Sequence, residues 1–303
     1  MNAYLDLARQ GKTGWRCFVL AVALILFLWQ ILGALPSVFL FILVLADGNP
    51  QTDLSPAGQF VGVEPILSFA MPMLASVLFL VGIFLAIRLI HQRPFRTLIT
   101  PARLISWGRF FQGFAVWFVL SGLMSLAEAL LYPGRYVWTL DLRRYIPFVF
   151  LALILIPIQT SAEELFFRGY ILQNVGLRLR NVWILSAISG FLFMVPHFLN
   201  PEARVNYGLM GFYYFFIGAG MAYITLRDGR LELALGLHAA NNLFSALFAN
   251  YTVTVMPTPS LFTVNTLDAV YSVSAALVGM VIFALVFNSL LRQRSPAEDI
   301  TAQ

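Results

Sequence analysis

The sequence predicts an all-α fold: a polytopic membrane helix bundle of about eight transmembrane helices. Three observations carry that reading. The 303 residues are 60% hydrophobic and only 11% charged, against roughly 25% charged in a soluble domain, so there are too few charges to cover a water-facing surface. Mean hydropathy is +0.82. Apolar runs long enough to span a bilayer, about 20 residues each, follow one another almost end to end, with the charges gathered between them.

The first run, 17–46, follows a basic flank of Arg9, Lys12 and Arg16. It is far longer than a signal-peptide core, so it reads as a retained first span, kinked or broken near Pro36. The second and third runs are 66–90 and 107–131, the latter with Arg109 near its start and Glu128 near its end. The fourth, 145–177, is longer than a bilayer requires and carries charges in its second half. The remaining four are 181–199, 207–226, 231–250 and 269–291. No internal repeat or soluble domain interrupts them. The expected organisation is a cytoplasmic segment 1–16, one membrane domain 17–293 and a cytoplasmic tail 294–303.

Orientation follows from the basic residues. With the N-terminus inside, the inner segments hold Arg9, Lys12, Arg16, Arg88, Arg93, Arg96, Arg103, Arg109, Arg178, Arg180, Arg227, Arg230, Arg292 and Arg294; the outer ones hold only Arg135, Arg143, Arg144 and Arg204. An even number of spans then puts both termini in the cytoplasm, in a plasma (inner) membrane. Because the net charge of +5 is scattered over these loops, no nucleic-acid partner is expected, and the inner loops favour anionic lipid headgroups. Cys17 is the single cysteine, which excludes an intrachain disulfide.

Ionisable groups inside a span cost a few kcal/mol each and are functional candidates. Three clusters stand out. In Ser161-Ala162-Glu163-Glu164-Leu165-Phe166-Phe167-Arg168, Glu164 and Arg168 are four apart and share a helix face. Glu163 is turned about 100° away, free to work without that arginine. The second cluster is Phe193 to His197; the third is His238 with Asn242, four apart on one face. Glu163 and His197 are equidistant from Arg180 at the turn between helices four and five, so an antiparallel hairpin sets them at one depth. His238 joins them if that hairpin projects beyond the membrane on the cytoplasmic side. A carboxylate beside two imidazoles can take a proton from water and deliver it to a leaving amine, while the histidines and Asn242 polarise the scissile carbonyl or hold the oxyanion. Equally, Glu163, His197 and His238 can hold a Zn²⁺ that activates the water. Both routes end in peptide hydrolysis.

The three clusters, in this order, resemble the signature of the CAAX prenyl endopeptidase and bacteriocin-processing family, also called the Abi family: EExxxR, then FxxxH, then HxxxN or HxxxD. Glu163-Glu164 with Arg168, Phe193 with His197, and His238 with Asn242 match in turn, and the resemblance covers about 145–250. It implies an intramembrane endopeptidase acting on a peptide or protein substrate, lipid-modified or not. Glu163 would be the base or metal-side carboxylate, with His197 beside it on the attacking water. Glu164 and Arg168 would support it, and His238 and Asn242 would complete the site. The resemblance leaves Zn²⁺ and a metal-free glutamate mechanism both open. Three other readings compete: a transporter using the Glu/Arg/His cluster, a non-catalytic immunity or scaffold protein of the same fold, and a rhomboid-type serine protease through Ser189, whose surroundings fall one glycine short of GxSG.

Overall fold

The computed structural model describes residues 3–55 and 60–293; the expected tail 294–303 lies outside them. Every apolar run becomes helix. These are α1 (Trp15–Ala46), α2 (Pro65–Ile90), α3 (Trp107–Leu131), α4 (Leu142–Gly176), α5 (Val182–His197), α6 (Tyr207–Asp228), α7 (Glu232–Leu247) and α8 (Ala269–Gln293). Six are long and apolar enough to cross a membrane; α5 and α7 are 16 residues each. The helices start where a side chain can accept from an orphan backbone N–H: Ser106 caps α3, Asp141 caps α4, Asn181 caps α5 and Asn206 caps α6. Gly229, at φ 70°, closes α6 in the left-handed conformation that glycine adopts without a Cβ clash.

Only 17% of the most apolar stretch of α1 is buried, and Leu20, Phe27, Ile31, Phe39 and Leu45 are exposed along it. An apolar face of that extent needs lipid as its solvent. The expected break near Pro36 is present: α1 passes through a π-helical stretch, Phe27–Leu32, turns at Gly33 and Ala34, and resumes with Pro36 in its first turn, where proline's missing N–H costs nothing.

Two crossings bring backbones together through small residues, as membrane helices do where no hydrophobic effect drives them. At α3–α7, a Cβ on Gly236 would lie 2.7 Å from Phe114 N and 3.0 Å from Phe110 C. At α5–α6, a Cβ on Gly218 would lie 3.0 Å from Gly190 Cα. α7 and α5 both also pack against α4.

The charges at the ends of α3 are paired. Arg109 bonds Asp228, and Glu128 accepts from Arg135, Tyr136 and Tyr251. The loops after α1, α3 and α7 also form short strands that periodicity did not reveal. β1 (Asp53–Leu54) pairs antiparallel with β2 (Phe60–Val61). β3 (Tyr136–Trp138), β5 (Phe262–Val264) and β4 (Ala249–Tyr251) make a sheet in the order β3–β5–β4, so the seventh run leaves its helix before residue 250.

The 35 residues of α4 reach about 52 Å at 1.5 Å per residue, well beyond a hydrocarbon core of about 30 Å. The excess end is covered by protein. The short helix Ala3–Asp6 packs on it with Tyr4 and Leu5 fully buried, and the Tyr4 hydroxyl lies 2.7 Å from Leu98 O and 3.1 Å from Arg168 O. Asp6 takes a 2.7 Å ion pair from Arg180, which holds its carboxyl below the usual range, with Arg9 adding to the effect. The described residues ahead of α1, from Ala3 on, are therefore folded onto the bundle.

Candidate active site

The second half of α4 changes its winding just after the two glutamates. Leu165–Ile171 is π-helical, a local feature frequent at functional sites, and every residue of the stretch is buried. Within it Arg168 is fully buried. Its guanidinium donates to Glu164 Oε1 at 2.7 Å and to Gly218 O at 3.2 Å, and lies 4.3 Å from the Phe193 ring centroid. The close α5–α6 crossing is what brings the Gly218 carbonyl within reach. Phe193 is thus a cation–π platform for Arg168, and its ring also meets those of His238 and His197, at 6.0 Å and 4.3 Å between centroids.

Glu164 Oε1 accepts a second bond from His238 Nδ1 at 2.8 Å. A buried carboxylate already bound to arginine accepts, so Nδ1 carries the proton and Nε2 is turned the other way. It faces Glu163 Oε2 at 3.7 Å. That oxygen is buried with no hydrogen-bond partner, while its twin Oε1 accepts from Gln159 Nε2 at 2.5 Å. The two neighbouring carboxylates have opposite settings. Glu164 is held through Oε1 by a guanidinium and an imidazole, Glu163 through Oε1 by a neutral amide; each keeps Oε2 buried without a hydrogen-bond partner, and it is the Glu163 Oε2 that faces His238 Nε2.

Glu163, Glu164, Arg168, Phe193 and His238 are thus gathered as the sequence implied. Asn242 is there too, and its Nδ2 donates to Gln159 Oε1 at 3.0 Å. His197 stands one ring away: Nδ1 donates to Phe193 O at 2.6 Å, and its ring lies between Phe193 and Tyr214, 4.5 Å from the latter. No hydrogen bond joins His197 to Glu163 among the described residues. The expected zinc set does not gather in this arrangement. Both histidines are held through Nδ1, which leaves Nε2 as the nitrogen a metal would use, but among the described residues no three His, Cys, Asp or Glu side chains are placed to hold a metal. Ser189 is buried with its hydroxyl unpartnered, so no base activates it as a nucleophile.

Sequence reasoning missed Gln159, Asn241 and Trp117. Gln159 had a signal, since it lies four residues before Glu163 on the same face. Asn241 Nδ2 donates to Asn242 Oδ1 at 3.0 Å, and Trp117 Nε1 donates to Asn241 Oδ1 at 3.1 Å. The last of these contacts crosses from α3 to α7, which spacing along the chain cannot reveal.

Comparison with known proteins agrees with this geometry. A family profile described as Type II CAAX prenyl endopeptidase Rce1-like matches residues 143–244, the stretch that holds all three motifs. An uncharacterized protein of Bacillus subtilis (strain 168), YyaK, is 36% identical over 268 residues, covering 88% of each chain. No solved structure matches. The chain belongs to the Rce1-like CAAX prenyl endopeptidase family, polytopic helical membrane proteins of the intramembrane protease superfamily.

Proposed function

We propose that this chain is an intramembrane endopeptidase in which Glu163 acts as general base on a water. The single observation that carries the reading is the buried, unpartnered Glu163 Oε2 facing His238 Nε2 at 3.7 Å. Both atoms accept, so a water placed between them can donate to each. In the reaction Oε2 takes a proton from water as the water oxygen bonds to the scissile carbonyl carbon. The same proton then passes to the leaving nitrogen as the carbon–nitrogen bond breaks. The second N–H of Asn242 is the donor at hand for the carbonyl oxygen, His238 Nε2 is an acceptor that helps Glu163 hold and orient the water, and His197 flanks the water from α5. Glu164 and Arg168 hold His238 in its tautomer and orientation. The substrate is a peptide segment at the membrane, lipid-modified or plain, and the Arg180 end of the bundle is the cytoplasmic one, with both termini there. No step here runs through a metal.

The test is cleavage of an internally quenched farnesylated peptide ending in a CAAX sequence, and of its unprenylated counterpart, by protein in lipid nanodiscs. Metal content is measured on the same sample. Glu163→Gln keeps the shape and the Gln159 contact but cannot accept the proton, and should lose at least about 100-fold in kcat. His238→Ala and His197→Ala should also lose activity. Cleavage untouched by all three substitutions would reject the mechanism.

A further inference from the structure

A chain of side-chain amides runs from α3 to the candidate base. Trp117 Nε1 donates to Asn241 Oδ1 at 3.1 Å, Asn241 Nδ2 to Asn242 Oδ1 at 3.0 Å, Asn242 Nδ2 to Gln159 Oε1 at 3.0 Å, and Gln159 Nε2 to Glu163 Oε1 at 2.5 Å. Its direction is fixed by chemistry at both ends. An indole N–H can only donate, and an ionised carboxylate can only accept. Between these ends each amide must present oxygen toward the tryptophan and nitrogen toward the glutamate, because flipping any one of them sets two donors or two acceptors face to face. Trp117 is itself buried, with its ring 5.9 Å from that of Phe283 on α8, so the head of the chain is anchored in the core.

We propose that Trp117, Asn241 and Gln159 are positioning residues, forming with Asn242 a polarised chain that fixes the Glu163 carboxylate and divides the labour between its oxygens. Oε1 is the anchored oxygen, saturated by a donor of set direction. Oε2 is the reacting oxygen, kept pointing at His238 Nε2. The inference rests on the glutamate-base reading and adds to it which oxygen reacts and what holds the other. Such a chain rigidifies the carboxylate without placing a second positive charge beside it, which a guanidinium in the position of Gln159 would do. Networks of this kind are effective only when every member is satisfied in sequence, so a change at the far end should be felt at Glu163.

The experiment compares Trp117→Phe, Gln159→Leu, Asn241→Leu and Asn241→Asp on the same quenched peptides, each with a thermal melt. Trp117→Phe removes only the head donor, while Asn241→Leu and Gln159→Leu cut the chain. Each should lower kcat by about 10- to 100-fold with KM little changed, the cost of a misaligned base. Asn241→Asp is nearly isosteric and gives the polarity its own signature. With the introduced carboxyl protonated, its O–H donates to Asn242 Oδ1 and the direction is preserved. Once it ionises, two acceptors meet and the reversal propagates through Asn242 and Gln159 to Glu163. That variant should therefore work at acidic pH and lose activity reversibly as pH rises, on a limb absent from the parent. The ionisable groups of the site itself, Glu163, Glu164 and Arg168 on α4, His197 on α5 and His238 on α7, are unchanged in it. A pH profile for Asn241→Asp that superimposes on the parent's, or a loss that acid does not recover, would overturn the chain, as would an unchanged kcat in Trp117→Phe. If instead Glu163→Gln keeps full activity, it is the glutamate-base reading that fails.

Discussion

Replacing Arg168 by methionine tests how the two glutamates are kept apart in role. The side chain is fully buried, and its removal takes three things away at once. Glu164 loses a 2.7 Å charge-assisted bond, Gly218 O loses its 3.2 Å donor, and Phe193 loses the cation 4.3 Å from its ring. Breaking a buried ion pair by deleting one partner costs about 3–5 kcal/mol, because a charge is left behind. The cation–π contact, up to about 2 kcal/mol when desolvated, overlaps with that figure. A total near 4 kcal/mol is expected. Arg168→Lys should fall between, since an ammonium can reach Glu164 but cannot fork to Gly218 O as well. The pair Arg168→Met with Glu164→Gln removes both charges and should recover much of the stability, yet stay poorly active, because His238 would then lean on a neutral oxygen. Stability is read by thermal melting and by resistance to unfolding in mixed micelles, activity by peptide cleavage. A loss below about 1 kcal/mol in Arg168→Met, the size of an exposed ion pair, or a double variant no more stable than the single one, would refute the buried-pair account.

Two further outcomes follow from the same structure. Gly236→Ala should destabilise the bundle by about 1–3 kcal/mol and depress cleavage. The new Cβ meets backbone of α3, which moves only by parting α3 from α7, the helix that carries His238 and Asn242; Gly108→Ala, with nothing within 4 Å, is the neutral control in the same melt. Glu202 sits in the loop between α5 and α6, and burial pushes its carboxyl above the usual range even though Oε1 accepts from Val255 N at 2.7 Å. The folded form therefore holds that proton at pH values where the unfolded chain has released it, so the contribution is present at low pH and is lost as pH rises through the folded value. Glu202→Gln, which keeps the acceptor, should melt above the parent at neutral and alkaline pH and no higher in acid; a uniform shift at all pH values would count against burial as the cause.

The bundle was legible in the sequence because a lipid-facing helix is written in composition: about 20 apolar residues leave few other solutions. All eight runs became helices, and the distinct settings of Glu163 and Glu164 followed from the 100° turn between them. Three things were hidden. The strands are too short for alternation to show, and they form only because α3, α7 and the loops that follow them bring Tyr136, Ala249 and Phe262 together. The docking of Tyr4 and Leu5 rests on a groove that exists only once α4 and the loop around Leu98 are packed. The row from Trp117 through Asn241 to Gln159 was hidden because its links between helices depend on side-chain directions that sequence does not fix. The hold on His197, through Nδ1 to Phe193 O and between the rings of Phe193 and Tyr214, is likewise a matter of side-chain direction and of the close approach of α5 to α6.

Two adjacent carboxylates in a low-dielectric interior repel unless each is compensated, and the compensation decides what each can do. On α4 the two are compensated by unlike means. Glu164 is met by charge, from Arg168, and by the N–H of His238, with the whole assembly closed off on Phe193 and Gly218. The use of a carboxylate so bound is to orient an imidazole. Glu163 is met by dipoles alone, one amide at the end of a polarised row, with one oxygen left over. Neutral donors localise a charge without cancelling it, which is what a base in a membrane interior requires. The sequence Glu-Glu therefore encodes one site rather than a redundancy: exchanging the means of compensation, as with an arginine at position 159, should silence Glu163 while leaving the fold in place.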